Sequence, residues 1–337
     1  MNNLTSDGIE TLNGCDLPIT SFSLVGFLGA PGCGKSTNMQ KLAEAVIKYS
    51  NQTTYDLDKP EINNGKITHH ILISPSINTD NSLANKDKKI LIQGTDQNIL
   101  NLVDSIKEMN ETFYQTLNIQ KFLRTIAIDI YNQKYNKIQL IHLQQQLKQH
   151  PQYDLIVKSL EALNKFKDNY PELLFKEHNQ NIVQVLSDIS GGKFDGYMTR
   201  RPKIILLLDD LAGSRLYSST LNNSFYNLLC IRRHQGLFLS CISLHSPGNL
   251  QYSFKMQFNS FLVFKGVPID KLKLLYDCIT SLDSVNFNVN DFIKMYQNIT
   301  GYNETDMSKK DDFRYNFLYI QSQPITAIYL NFNQKLK

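Results

Sequence analysis

The run Phe22-Ser23-Leu24-Val25-Gly26-Phe27-Leu28 leads directly into Gly29-Ala30-Pro31-Gly32-Cys33-Gly34-Lys35-Ser36, which fits G-x-x-x-x-G-K-[ST] at every specified position. An apolar strand that delivers a glycine-rich turn to a helix is the local build of a phosphate-binding loop. The glycines let the backbone curl so that its N–H groups point inward, Lys35 reaches the β and γ phosphates, and Ser36 offers a hydroxyl to Mg2+. Thr37 to Lys48, with Met39, Leu42, Ala43, Val46 and Ile47 at helical spacing, predicts the helix whose positive N-terminal end faces the anion. The stretch Gly29 to Thr37 is therefore expected to bind ATP. Cys33, close to that helix N-terminus, is expected to have a lowered thiol pKa.

Ile204-Ile205-Leu206-Leu207-Leu208-Asp209-Asp210 is a short unbroken apolar run that ends in two acids. A strand buried on both faces of a parallel sheet reads this way where its carboxyl end meets solvent. It looks like a Walker B strand, with Asp209 holding Mg2+ through water and Asp210 orienting or deprotonating the attacking water.

The chain has 337 residues, 42% of them hydrophobic, enough to bury one large core or two small ones. Its formal net charge of +4 is mild, so contact with nucleic acid is expected to be local, as in the lining of a channel. The first twenty residues are polar and read as a flexible lead-in without a secretory signal, and no apolar run approaches membrane-spanning length. A soluble intracellular protein is expected, without an integral membrane segment. Its five cysteines show no metal-ligand spacing and no paired framework, which suits a reducing compartment.

Further strands are predicted at Ile67–Ile73, Ile90–Ile92, Leu237–His245 and Phe261–Phe264. After Gly94 the period changes: Ile99, Leu102, Val103, Ile106, Met109, Phe113 and Leu117 recur at helical spacing, with further helical patterns near Tyr135–Leu147 and Tyr153–Phe166. These mark a helical insertion over about 95–190 within a domain of residues 21–337. Ser190 to Pro202 reads as a loop, and Lys193, Arg200, Arg201 and Lys203 suit either a solvated surface or a contact with phosphate or DNA. Leu216–Leu229, Ile269–Thr280 and Val289–Ile299 read as helices. Phe313–Ile320 and Ile325–Phe332 read as a closing hairpin at the sheet edge, within C-terminal helices and edge strands over about 266–337.

Strand, loop and helix followed by alternating strands and helices predicts an α/β, doubly wound, mainly parallel sheet of the P-loop NTPase (RecA/ASCE-like) kind, with its ligand at the carboxyl ends of the strands. The finer pattern is narrower: a strand ending in Ser74-Pro75-Ser76, a helical insertion, the acids at 209 and 210, then Asn227 and Arg232-Arg233-His234 running into a strand with a polar end. Over residues 20 to 265 this resembles the FtsK–HerA superfamily, and within it the genome-packaging ATPases of poxviruses, other large DNA viruses, virophages and virus-like transposons. The resemblance implies a translocase of double-stranded DNA that assembles as a homo-oligomeric ring, a pentamer or hexamer, against a capsid portal or shell protein. It also implies that Arg232 or Arg233 completes a neighbour's active site. The family's glutamine sensor of the γ-phosphate is matched here by His245, and its arginine before an asparagine by Lys255 before Asn259.

Competing readings are a small-molecule kinase, which wants an arginine-rich lid, another non-packaging ATPase, and a nucleotide-dependent scaffold. Asp210-Leu211-Ala212-Gly213 satisfies the D-x-x-G of a GTPase switch, but the guanine-reading N-K-x-D is missing: Asn164-Lys165 lies upstream and out of spacing.

Overall fold

In the computed structural model, which describes residues 19, 21–50, 66–77, 89–132, 162–164, 166–211, 214–217, 223–280, 288–302, 316–322, 327–330 and 334–335, the run before the loop forms β1 (Ser23–Leu28). All six of its residues are buried. The loop opens into α1 (Lys35–Ser50), and β2 (His69–Ser74), β3 (Ile90–Gln93) and the long α2 (Asp96–Asn132) follow. Then come β4 (Leu174–Lys176), α3 (Gln180–Ile189), β5 (Tyr197–Thr199) and β6 (Ile204–Leu208). After α4 (Ser224–Cys230) lie β7 (Leu237–Leu244), α5 (Tyr252–Lys255), β8 (Ser260–Phe264), α6 (Ile269–Thr280) and α7 (Val289–Thr300). The chain closes with β9 (Phe317–Gln321), β10 (Ala327–Leu330) and β11 (Gln334–Lys335).

Nine strands form one sheet in the order β11-β10-β9-β8-β1-β7-β6-β2-β3. From β8 to β3 every pairing is parallel, and β9, β10 and β11 extend the β8 edge antiparallel. Alternation along the strands puts Val25 and Phe27 of β1, Ile205 and Leu207 of β6, and Leu239 and Cys241 of β7 into one core with Met39, Leu42, Ala43 and Val46 of α1. On β1's other face Gly26 has no room for a side chain: a Cβ there would lie 2.6 Å from the Phe261 ring. Phe261 stacks on Phe258, which continues to Phe254, Phe225 and Tyr217. Both faces are therefore covered, which is why these strands read as unbroken apolar runs.

The chain divides into two compact units, one built on Ile106–Pro202 and the other on the remaining described residues. In the smaller unit Leu123, Ala127, Leu163, Ile182, Val185, Leu186, Phe194 and Met198 form a separate core. Its β4 and β5 pair antiparallel, and Gln120 Oε1 accepts from both the backbone N–H and the hydroxyl of Thr199.

Most sequence expectations for this frame hold, with two corrections. The helix expected over Leu216–Leu229 is a 3-10 turn at Arg215–Tyr217 followed by the short α4, because Asn223 restarts it as an N-cap, accepting from Phe225 N and Tyr226 N. The loop expected over Ser190–Pro202 contains β5, whose three residues are too few to show a period. The lead-in before Ile19 and the helical patterns at Tyr135–Leu147 and Tyr153–Phe166 lie outside the described residues, save Ile19, 162–164 and Phe166. Among the described residues no helix is long and apolar enough to cross a membrane.

Candidate active site

The loop hangs from its neighbours. Gly29 N–H donates to Leu244 O at the end of β7 (3.2 Å), and Ala30 N–H donates to Lys265 O just past β8 (3.1 Å). A Cβ on Gly29 would come within 2.7 Å of Cys33 Sγ, while Gly32 and Gly34 take left-handed φ of 73° and 91°. Gly266, which the sequence pattern does not single out, supports the loop from behind: a side chain there would meet Ala30 Cβ at 2.5 Å. Lys35 is buried, and its Nζ donates to Gly29 O and Ala30 O at 2.8 Å each. An ammonium has three N–H bonds, so one remains for an anion. Pro31, Gly32 and Thr37 are exposed, and Gly34 and Ser36 half-buried.

The thiol of Cys33 behaves otherwise than its position suggests. Burial raises its pKa, and the Lys35 charge and nearby backbone N–H groups only partly offset that. The expected lowering is corrected: Cys33 packs into the loop's core side, where desolvation outweighs the helix N-terminus.

Register delivers the acids. Leu208 of β6 pairs with Ile242 of β7, Phe27 of β1 pairs with Ser243, and Asp209 N–H continues the ladder to Ile73 O at 2.9 Å. Asp209 is therefore one step past β6, level with Ser243 and across from the loop. It is 4% exposed, and burial raises its pKa. The Ser36 and Ser243 hydroxyls beside it pull the other way, the Asp210 charge adds to the rise, and Lys35 opposes it. Asp209 Oδ1 is buried with no hydrogen-bond partner among the described residues, and so are Ser243 Oγ and Tyr217 OH. Sequence reading missed Tyr217, a residue inside an expected helix. Burial, then the charges of Asp209 and Asp96, push its phenol far up.

An unsatisfied carboxylate oxygen beside the Ser36 hydroxyl is a donor set for a hard cation. Among the described residues no three His, Cys, Asp or Glu side chains gather as a metal cage. The two oxygen donors, Asp209 Oδ1 and the Ser36 hydroxyl, suit Mg2+, which takes few protein ligands and completes its shell with phosphate oxygens and water.

Asp210 takes φ of 53°, left-handed for a residue with a side chain, so the strand's alternation no longer directs its carboxylate. Its Oδ1 lies 2.9 Å from His245 Nε2, at the end of the neighbouring β7. His245 Nδ1 is buried without a partner. Nε2, one of the two nitrogens with which His245 could meet a phosphate, is thus on Asp210.

The structure does not bring Arg232 or Arg233 to the loop of their own chain; both precede β7, at the opposite end of the sheet. Arg232 Nε donates to Phe22 O (2.6 Å), Nη1 to Leu229 O (3.0 Å) and Nη2 to Asn259 Oδ1 (2.9 Å). Asn259 Oδ1 also accepts from Leu24 N (2.8 Å), so this corner ties β1 to the start of β8. Arg232 is thus consumed by its own fold, whereas Arg233 and His234 are exposed. Lys255 is buried. The basic string before β6 is mostly packed too. Arg200 donates twice to Glu172 O, Arg201 is buried over the Tyr114 ring, and Lys203 lies 4.0 Å from the Phe238 ring centre, leaving Lys193 exposed.

Strand order and loop together define the class: this is an α/β P-loop NTPase fold in which β7 stands between the loop-bearing β1 and the acid-bearing β6. Among solved structures the chain is similar to the genome packaging NTPase B204 from Sulfolobus turreted icosahedral virus 2. Against its complex with ATP-gammaS the identity is 10%, the match covers 91% of this chain and 95% of that one, and the TM-score is 0.39. Against its sulfate complex the values are 11%, 91%, 95% and 0.40. At such scores the superposition is too loose to transfer a residue role. No family model matches the chain, and no curated protein does.

Proposed function

We propose that the chain is an ATP-hydrolysing translocase of double-stranded DNA that packages a viral or virus-like genome. The observation that carries the hydrolytic part is the juxtaposition of Lys35 and Ser36 with Asp209 and Asp210, delivered by strands β1, β6 and β7. Ser36 and Asp209 would hold Mg2+, which when bound screens the charge on the β and γ phosphates. Lys35 gives its remaining N–H to those phosphates. Asp210 accepts a proton from the water that attacks the γ phosphorus as the bond to the β–γ bridging oxygen breaks.

The DNA, the homo-oligomeric ring of five or six subunits and the capsid portal or shell partner rest on the FtsK–HerA resemblance. Within that reading Arg233 is the residue offered to a neighbour's site, because it is exposed and Arg232 is bonded within its own chain.

Hydrolysis of ATP and GTP by the purified chain, with and without duplex DNA, tests this. ATP turnover stimulated by DNA is expected. GTP preference, phosphate transfer to a small acceptor, or binding without turnover would each replace the reading. Arg233→Ala should leave ATP affinity of the isolated subunit unchanged and slow the assembled ring by about a thousandfold. Mixed with Lys35→Ala subunits, which keep their arginines, it should regain hydrolysis. Failure of that complementation would confine Arg233 to its own chain.

A further inference from the structure

We infer that His245 is a positioning residue for Asp210, holding its carboxylate by one oxygen so that the other is left to take the proton of the attacking water. The inference deepens the hydrolytic reading above and rests on it. Three observations meet at this pair. His245 Nε2 lies 2.9 Å from Asp210 Oδ1. Asp210 holds a left-handed backbone, φ 53°, at a cost of about 1 kcal/mol, and such strain persists where the surroundings fix it for use. Finally, His245 Nδ1 is buried with no partner, so the ring's bonding at this site is made through Nε2.

The chemistry follows from the donor inventory. A carboxylate accepts at two oxygens, and an imidazole that donates Nε2–H to Oδ1 leaves Oδ2 available. The Asp210 side chain is 57% exposed, so that second oxygen remains within reach of water. An acid that must take a proton in one direction gains from a fixed carboxylate plane, because orientation is settled before the reaction. In hydrolases a carboxylate commonly orients an imidazole base; here the roles are exchanged. Sensing of the γ-phosphate through Nε2 would instead need that nitrogen free of Asp210, and the two lie 2.9 Å apart.

The test is a cycle of variants in the full chain. Asp210→Gly removes the carboxylate at a position whose positive φ glycine adopts without strain. Expected are a loss in kcat of about thirtyfold for His245→Ala with KM unchanged, and recovery to within about fivefold in His245→Gln, whose amide N–H reaches the same oxygen. In the Asp210→Gly background His245→Ala should change the rate by less than about threefold. Additive losses in the double variant, or a rise in KM with kcat kept, would overturn the inference and return His245 to the phosphate. A readout independent of turnover is the imidazole itself, in chain carrying 15N-histidine and assigned by its loss in His245→Gln. A protected Nε2–H resonance should be present in the parent and absent in Asp210→Gly. A parent chain that hydrolyses nothing would end the reading of the site while the resonance still judges the pair, and absence of that resonance in the parent would end the inference alone.

Discussion

Two corners of the parallel sheet, one at each end, treat polar groups in opposite ways. At the amino end, Arg232 spends Nε, Nη1 and Nη2 on Phe22, Leu229 and Asn259, and Asn259 is further bonded to Leu24 through side chain and backbone. At the carboxyl end, Asp209 Oδ1, Ser243 Oγ, Tyr217 OH and His245 Nδ1 are all buried without partners among the described residues. Buried polar atoms are nearly always satisfied, and each exception costs about 1–3 kcal/mol. A closed network is what holds an architecture together, and a concentration of open valences is what a fold carries where it works on a ligand. The two neighbouring arginines differ in exposure as well, Arg232 being half-buried on its three acceptors and Arg233 exposed.

The largest expected effect is at the carboxyl end. Lys35→Ala should abolish hydrolysis, by a thousandfold or more, while the melting temperature of the chain moves by only a few degrees, because what is lost is a contact with phosphate. Unfolding of this variant at ambient temperature would mean that the two Lys35 bonds to Gly29 and Ala30 are architectural, as those of Arg232 are. At the other end the signs reverse. Arg232→Ala removes the guanidinium from three acceptors, of which Asn259 Oδ1 keeps Leu24 N and Leu229 O keeps the backbone N–H of residue 232, and should cost about 2–4 kcal/mol of stability, read by denaturant unfolding, whereas Arg233→Ala should stay within about 0.5 kcal/mol. Since Arg232 and Asn259 share a bond, adding Asn259→Ala to Arg232→Ala should cost less than the sum of the two.

How much of this was legible in the sequence depends on how local the physics is. The loop was readable because its demands fall on consecutive residues: glycine where φ is positive at 32 and 34, and where Cys33 and Phe264 crowd position 29, then a lysine and a serine at the helix start. The acids were readable because an apolar run ending in charge marks the place where a doubly covered strand emerges. The fate of Arg232 was not, because a guanidinium in the string Arg232-Arg233-His234 reads as surface until Phe22 and Asn259 are brought beside it by the sheet. Likewise the Asp210–His245 pair exists only through the β6–β7 register, and Gly266 matters only because β8 lies next to β1. Position relative to a helix terminus is written in the sequence, whereas burial is a sum over distant segments, and Cys33 shows the second overruling the first.

Two groups at the amino side run against that contrast, Lys89 Nζ just ahead of β3 and His70. His70 on β2 is buried, its Nε2 has no partner among the described residues, and burial, with the charge of Lys89 adding, pushes its pKa down to about 4. Above pH 6.5 the imidazole is neutral in both folded and unfolded chain, and its titration adds nothing to the pH dependence of stability. Between about 6.5 and 4 the unfolded chain takes up a proton that the folded one refuses, so stability is lost as pH falls through that window and levels off below it. The loss is at most about 3 kcal/mol, at about 1.4 kcal/mol per unit of pKa. His70→Leu should flatten the curve of unfolding free energy against pH across this range. An unchanged slope would mean that His70 has a partner that holds its proton, and would remove it from the groups that run against the contrast.

The smallest effect concerns how accessible the loop is. The Cys33 thiol is 6% exposed and packed where a Cβ on Gly29 would touch it, and burial raises its pKa, so little thiolate is present near neutral pH. Cys230, at the end of α4, is half-buried. Iodoacetamide, followed by mass mapping of the peptides, should therefore modify Cys230 before Cys33, by about tenfold in rate, because the loop must open before the buried thiol can react. Mg-ATP should slow Cys33 further and leave Cys230 alone, because phosphates seated on the loop amides hold it closed over the thiol. Cys33 reacting first would mean that the helix terminus and Lys35 outweigh burial after all, and that the loop is open enough to expose it. Equal rates with and without Mg-ATP would instead detach the loop from nucleotide and leave the open valences at the carboxyl end without the ligand proposed for them.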